Sequence, residues 1–287
     1  MKKINFSFKS IGILFFTTLL FIGCQDMDHP GVGDYPVDEN APGGPLKFYV
    51  PFDMETSNEL LVAVDQIRAK FPTENGFNQV DGISGKAVYG ITDKKIQYAK
   101  PNDWASSVSS YTVAFWEKHD GQTKSGANPG AEHIFSIPST NGHWSSGTMF
   151  LLFDQYSGSS TAAAIKFVTI DADMTDNWFT WEGANSIEGV LDNQWHHFAF
   201  VYDENTSTMT MYIDGAVAGT KTWGTHGALT LDESKISSLR IGNGPQSQNA
   251  SGDNWLYSNW KGALDQFRLY NIALSQAEVQ ELYTNNK

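Results

Sequence analysis

Residues 195–215 read Trp-His-His-Phe-Ala-Phe-Val-Tyr-Asp-Glu-Asn-Thr-Ser-Thr-Met-Thr-Met-Tyr-Ile-Asp-Gly. Up to Tyr202 both alternating sets are apolar apart from His196 and His197, the pattern of a central strand covered on both faces. Residues 209–213 pair back across a turn at 203–207. Asp214-Gly215 supplies the positive φ angles of a tight hairpin into 216–220. Outward from this hairpin the same kind of segment recurs, short alternating or apolar runs parted by Gly, Asn, Asp and Ser clusters. Residues 46–50, 111–116, 149–153, 164–170, 178–181, 239–241 and 263–269 are further expected strands. Only two helices are expected. Leu60, Leu61, Val64 and Ile67 recur at helical spacing behind Thr56-x-x-Glu59, although 60–64 reads equally as a strand. At the chain end Ser275 and Glu278 form a capping box, with Leu274 stapled onto Val279. The expectation is an all-β protein, two antiparallel sheets in a sandwich, with a short C-terminal helix.

The N-terminal end has a different character. Lys2, Lys3 and Lys9 precede an apolar run over 11–22. At about 12 residues it is too short to cross a bilayer, which takes roughly 20, and fits the core of a signal peptide. Leu20-Phe21-Ile22-Gly23-Cys24 resembles a bacterial lipobox, with Phe21 departing from the usual Leu; the alternative is a signal peptide followed by an unpaired thiol. Cys24 is the only cysteine, which rules out a disulfide framework and a Cys-rich metal site. The resemblance implies cleavage after residue 23 and a lipid on Cys24. Residues 24–45, acidic and rich in Pro and Gly, are expected to be a tether without a core. Acidic residues directly after Cys24 resemble the surface-export signal of Bacteroidetes lipoproteins, which implies an outer-membrane, cell-surface location.

Residues 46–287 suffice for one large β-domain and contain no internal repeat. Cleavage after residue 23 removes three of the 19 basic groups and none of the 32 acidic ones, leaving a net charge near −16. Such a surface repels phosphate backbones and speaks against nucleic acid as a partner. It speaks likewise against sulfated or uronate-rich polymers, unless a local basic patch overrides the average.

The order of motifs resembles a laminin-G-like jelly roll of the concanavalin A-like group. Phe52-Asp53 and Asp81-Gly82-Ile83-Ser84-Gly85-Lys86-Ala87 are similar to its opening. Tyr111-Thr112-Val113-Ala114-Phe115-Trp116 is similar to its "T-V-x-F-W" strand, and 194–199 with 212–215 to its "W-H-H-x-A … Y-x-D-G" hairpin. Arg240-Ile241-Gly242, residues 262–270 and the 274–278 turn are similar to its closing elements. The resemblance covers 46–287. It implies the sandwich fold and leaves the function open among lectins, glycan-binding modules, adhesion domains, glucanases and lyases. It also implies a structural Ca²⁺ on Asp53 and Asp265, hard oxygen ligands completed by backbone carbonyls. The other reading is a pair of hydrogen-bonded carboxylates at strand ends.

Trp116, Trp195 and Trp260 fall inside the matched strands and are expected in the core. Trp144, Trp178, Trp181 and Trp255 lie among polar residues. They are candidate carbohydrate-binding residues, because an indole offers a face to the C–H side of a sugar ring while Asn, Asp and Gln meet its hydroxyls. Alternatively they pin long loops onto the sheets. Trp178 and Trp181 are the favoured pair, although, spaced by three on one strand, they point to opposite faces unless the strand bends or bulges. No catalytic residue is assigned. There is no Gly-x-Ser-x-Gly elbow. Asp171-x-Asp173-x-x-Asp176 has the spacing of the glucanase acid string but shorter side chains. His196 and His197 alternate faces, and His119, His133, His143 and His226 lack metal-ligand spacing. The function expected is a surface-anchored, non-catalytic carbohydrate-binding lipoprotein that captures a neutral polysaccharide or oligosaccharide for an outer-membrane uptake complex. A protein-adhesion or assembly module is the first alternative. A glycoside hydrolase or lyase whose acids converge only in three dimensions is the second.

Overall fold

The computed structural model describes residues 44–53, 76–101, 103–122, 130–155, 161–247 and 255–285. Cys24, most of the tether and the helix expected near 56–67 lie outside them.

The hairpin at 196–222 forms as expected: β10 (His196–Asp203), β11 (Thr208–Ile213) and β12 (Ala216–Thr222) pair antiparallel in series. Asp214 and Gly215 take φ 51° and 77°. β10 then pairs with β5 (Tyr111–Lys118), and β5 with β14 (Ala263–Tyr270). β14 also takes β1 (Leu46–Val50) and β3 (Lys86–Tyr89), and β3 takes β2 (Asn78–Asp81). The result is an eight-stranded sheet. The second sheet has six strands in the order β4 (Ile96–Ala99), β13 (Ser238–Ile241), β6 (Glu132–Pro138), β7 (Gly147–Gln155), β8 (Ala163–Ile170), β9 (Asp176–Trp181). Two antiparallel sheets with one shared core make the expected sandwich.

Period-two alternation divides each strand between core and outer face. Tyr111, Val113 and Phe115 of β5, Phe198, Phe200 and Tyr202 of β10, and Met149, Leu151 and Phe153 of β7 all enter the core. The opposite positions Ala114, Ala199, Val201 and Tyr212 lie under the C-terminal segment, with Leu274 and Val279 packed on them. That segment is the expected helix, α2 (Gln276–Asn285); a single turn, α1 (Trp104–Ser107), precedes it in the chain. Its capping box is present: Ser275 N–H donates to Glu278 Oε2 at 2.7 Å and Glu278 N–H to Ser275 Oγ at 3.3 Å. Small Ala residues at 114 and 199 let the helix lie close on the sheet.

Candidate functional site

The site begins with the outward residues of the six-stranded sheet. Register places Phe150 of β7, Val168 of β8 and Trp178 of β9 in one row, and Leu152, Lys166 and Thr180 in the next. Phe150, Leu152, Val168 and Ile170 join Ala131 and Leu256 in an apolar cluster outside the main core, with Trp178 and Trp255 packed against it. No helix among the described residues covers this face; two loops reach it. The loop before β7 brings Trp144, and a 3-10 turn, Trp255–Tyr257, brings Trp255.

Three of the four expected tryptophans thus meet. Trp144 and Trp178 lie 6.3 Å apart, centroid to centroid, with planes within 2° of parallel. Trp255 is 6.1 Å from each. Phe150 meets Trp178 edge-on at 5.9 Å. Trp144 is 56% exposed, whereas Trp178 and Trp255 are half-buried behind it. Trp181 does not join them. β9 carries no register shift against β8, so the odd spacing turns Trp181 inward, where it is 3% exposed and packs 6.1 Å from Phe200. A Cβ at Gly219 would stand 2.5 Å from its Nε1, so β12 needs glycine there.

The loops that hold the cluster are themselves tied down. His143 Nδ1 meets Ser145 Oγ at 2.8 Å, and His143 N–H donates to Asn141 Oδ1 at 3.0 Å. Gln246 Nε2 donates to the Trp144 carbonyl at 3.1 Å. The segment bearing Gln246 is gripped by Arg240, whose Nη1 donates to the carbonyls of Gly244, Pro245 and Gln246 at 2.9–3.2 Å. Asp176 accepts from Trp178 Nε1 at 3.3 Å and faces His143 Nε2 at 3.3 Å. Behind Trp255, His133 stacks at 6.3 Å and meets Ser258 Oγ at 2.9 Å. Burial pushes His133 down to about 3, so an uncharged ring backs the indole.

Next to the aromatic row lies a charged strut. Lys166 Nζ reaches Asp154 Oδ2 at 3.0 Å and Glu182 Oε2 at 3.2 Å. Burial works against its charge, but the two carboxylates outweigh that and hold the ammonium above the ordinary lysine range. Both acids share one ammonium, whereas glycoside hydrolysis uses an acid and a base flanking the substrate. The acids at 171–176 build turns and loop contacts: Asp171 meets His226 Nε2 at 3.1 Å, and Asp173 accepts the Thr175 N–H at 2.8 Å.

Asp53 and Asp265 come together at the 82–86 turn. Asp265 Oδ2 accepts the Ile83 N–H at 2.9 Å, and Asp53 Oδ1 accepts the Lys86 N–H. A Cβ at Gly82 would lie 2.4 Å from Asp265 Oδ2, and one at Gly85 2.2 Å from Asp53 Oδ1, so both glycines allow the turn to close on the carboxylates. Asp265 sits where β14 bulges and is fully buried, with Oδ1 unpartnered. Burial, reinforced by Asp53, pushes its carboxyl up to about 7 against the pull of the backbone N–H groups. An unpartnered carboxylate oxygen beside a second acid fits a hard cation. The N–H donors on the other oxygens fit the hydrogen-bonded alternative. Among the described residues no three His, Cys, Asp or Glu side chains are grouped to hold a metal ion.

The Laminin_G_3 family model, described as the concanavalin A-like lectin/glucanases superfamily, matches residues 92–280. Among curated proteins no match was found. Solved structures similar to the chain include domain 4 of AbnA, a GH43 extracellular arabinanase from Geobacillus stearothermophilus, in complex with arabinotriose. That likeness has 18% identity and a TM-score of 0.46 over 75% of this chain and 83% of that one. The SAP-like pentraxin from Limulus polyphemus is 17% identical with a TM-score of 0.43, covering 62% and 70% of the two chains. The botulinum neurotoxin serotype G binding domain is 12% identical with a TM-score of 0.49; the match covers 74% of this chain and 47% of that one.

Proposed function

We propose, for a chain that belongs to the concanavalin A-like lectin/glucanases superfamily, that the outer face of the six-stranded sheet binds a neutral carbohydrate without cleaving it. The observation that carries this reading is the meeting of Trp144, Trp178 and Trp255 on one face, with Trp144 left 56% exposed. Large aromatic residues gathered on a surface mark binding sites. A centroid gap of 6.3 Å leaves no room for a sugar between Trp144 and Trp178, so the ring stacks on the open side of Trp144. Asp176, Gln246 and the Lys166 strut stand near enough to the sheet face to meet hydroxyls. A lipid on Cys24 and the 24–45 tether hold this face outside the membrane, at the cell surface, and deliver captured polysaccharide to an uptake complex.

Affinity electrophoresis of the purified chain through neutral plant, fungal and host polysaccharides tests the binding. One polymer class retards the chain, and Trp144→Ala weakens binding at least tenfold, about 1.4 kcal/mol. A folded chain retarded by none of them overturns the reading. A protein partner recovered through Trp144 instead would favour the adhesion alternative.

Asp53 and Asp265 are proposed to hold a structural Ca²⁺ through Asp265 Oδ1 and neighbouring carbonyls. A ligand at about 100 times its Kd stabilises a fold by roughly 2.7 kcal/mol. Calcium therefore raises the Tm above its value in chelator, and Asp265→Asn removes the difference. A Tm indifferent to calcium refutes the site.

A further inference from the structure

The outer face of the eight-stranded sheet has its own cavity, at the last turn of α2. Its volume is about 370 Å³, and Ile83, Trp116, Trp195, Tyr283 and Thr284 line it. Trp116 of β5 and His197 of β10 are direct register partners and so share this face. Their rings lie 5.2 Å apart, and both side chains are buried, 3% and 0% exposed. Trp116 Nε1, His197 Nδ1 and His197 Nε2 all lack a hydrogen-bond partner. One buried polar atom left unpaired costs about 1–3 kcal/mol, and native proteins rarely tolerate it without a reason. Here three such atoms fall on two adjacent residues, Trp116, which lines the cavity, and its fully buried neighbour His197.

Tyr283, from the last turn of α2, packs against them. Its ring stacks on Trp116 at 5.6 Å and 28°, and stands 6.3 Å from His197. Tyr283 is half-buried and Thr284 beside it is exposed.

We propose that this cavity is a second binding site, separate from the tryptophan face, which takes a single uncharged, hydroxylated ring such as a sugar chain end. The walls are aromatic and suit the C–H side of such a ring. The indole and imidazole are themselves neutral, with the Arg268 charge acting on His197 from nearby. The indole N–H donates, and the imidazole offers one donor and one acceptor, because burial and then Arg268 push His197 down to about 3. Among the described residues no Asp, Glu, Lys or Arg lines the cavity. A purely apolar ligand would leave the three polar atoms unpaired. The volume lies at the low end for small-molecule sites and matches one or two rings rather than the middle of a polymer.

The test uses the ¹⁵N-labelled chain and methyl glycosides of glucose, galactose, mannose, xylose and arabinose, titrated through millimolar Kd. At least one glycoside shifts the Trp116 indole N–H and the His197 ring signals saturably, and the shifts persist in Trp144→Ala. Trp195→Ala raises that Kd tenfold or more. If Trp195→Ala fails to fold, Tyr283→Ala replaces it; removing the ring that packs against Trp116 changes the Kd at least threefold. No saturable shift at Trp116 and His197 with any glycoside overturns the proposal. Shifts that vanish in Trp144→Ala also overturn it, since they would belong to the tryptophan face. Persistence in Trp144→Ala separates this site from the polymer-binding one, so either proposal can fail alone.

Discussion

The two sheets treat their outer faces differently. On the eight-stranded sheet the outward positions are Ala114, Ala199, Val201 and Tyr212, and the chain covers them with Leu274 and Val279 from its own C-terminal segment. On the six-stranded sheet the outward positions are larger, Phe150, Leu152, Val168 and Trp178, and no helix among the described residues roofs them. Trp255 and Trp144 lean over them instead, and Trp144 remains open to solvent. Ala114 and Ala199 leave room for the chain's own C-terminal segment on the first face, which also buries Tyr212 and Tyr270. On the second face the outward apolar residues are buried by tryptophan-bearing loops, and the exposed surface they offer is Trp144.

Substitutions on the two faces should therefore separate stability from binding. Val279→Asp places a charge in the fully buried contact between α2 and the sheet, and should cost on the order of 3 kcal/mol or more in urea unfolding. Polymer binding by the fraction still folded should be unchanged; lost binding would mean that the covered face takes part. Gly219→Ala comes next. It pushes a methyl against Trp181, and overpacking costs about 1–3 kcal/mol. Binding again holds, because Trp181 points into the core. Trp144→Ala is the reverse case, within about 0.5 kcal/mol of wild-type stability while affinity falls.

The smallest effect is a pH dependence at the start of the central strand β10. His196 Nδ1 lies 2.9 Å from Asp214 Oδ2 and its Nε2 3.2 Å from Asp192 Oδ1. The bond to Asp214 raises the imidazole's proton affinity; burial opposes it and Asp192 adds to it. A raised histidine contributes stability that is complete below its ordinary value of 6.5 and is lost as pH rises through its folded value. Burial alone would push the Asp214 carboxyl up, but His196 and the His197 N–H outweigh it and leave it low. That contribution is present above its ordinary 3.8 and is lost as pH falls through the folded value. Tm should thus be best supported between about pH 4 and 6.5, and His196→Ala should flatten the decline above that window. An unchanged pH profile in the variant would remove the pair from the account.

Much of this architecture was legible in the chain because strands with both alternating sets apolar, as in 196–202, announce central positions. β2, β3 and β4 were not, being four-residue strands with exposed or mixed patterns. β6 was missed because Glu132, His133 and Ser136 interrupt its apolar run, yet all three are buried with partners at 2.8–2.9 Å. In the candidate site, strand parity alone separated Trp178 from Trp181. The meeting of Trp144 with Trp255 was not legible, since two loops more than a hundred residues apart create it. Trp260 is in the core as expected, whereas Trp116 is buried on the outer face of the eight-stranded sheet, beneath Tyr283. Trp195 is half-buried and lines a cavity, because its neighbours there come from the far ends of the domain, Ile83 and Tyr283.

The most direct measurement follows the indole N–H signals of the ¹⁵N-labelled chain as the polysaccharide that retards it is added. The account predicts that Trp144, Trp178 and Trp255 shift together and saturate with one Kd, while Trp181 stays in place. Indoles of the tryptophan face that do not move while polymer is bound would contradict it and place the binding elsewhere on the molecule.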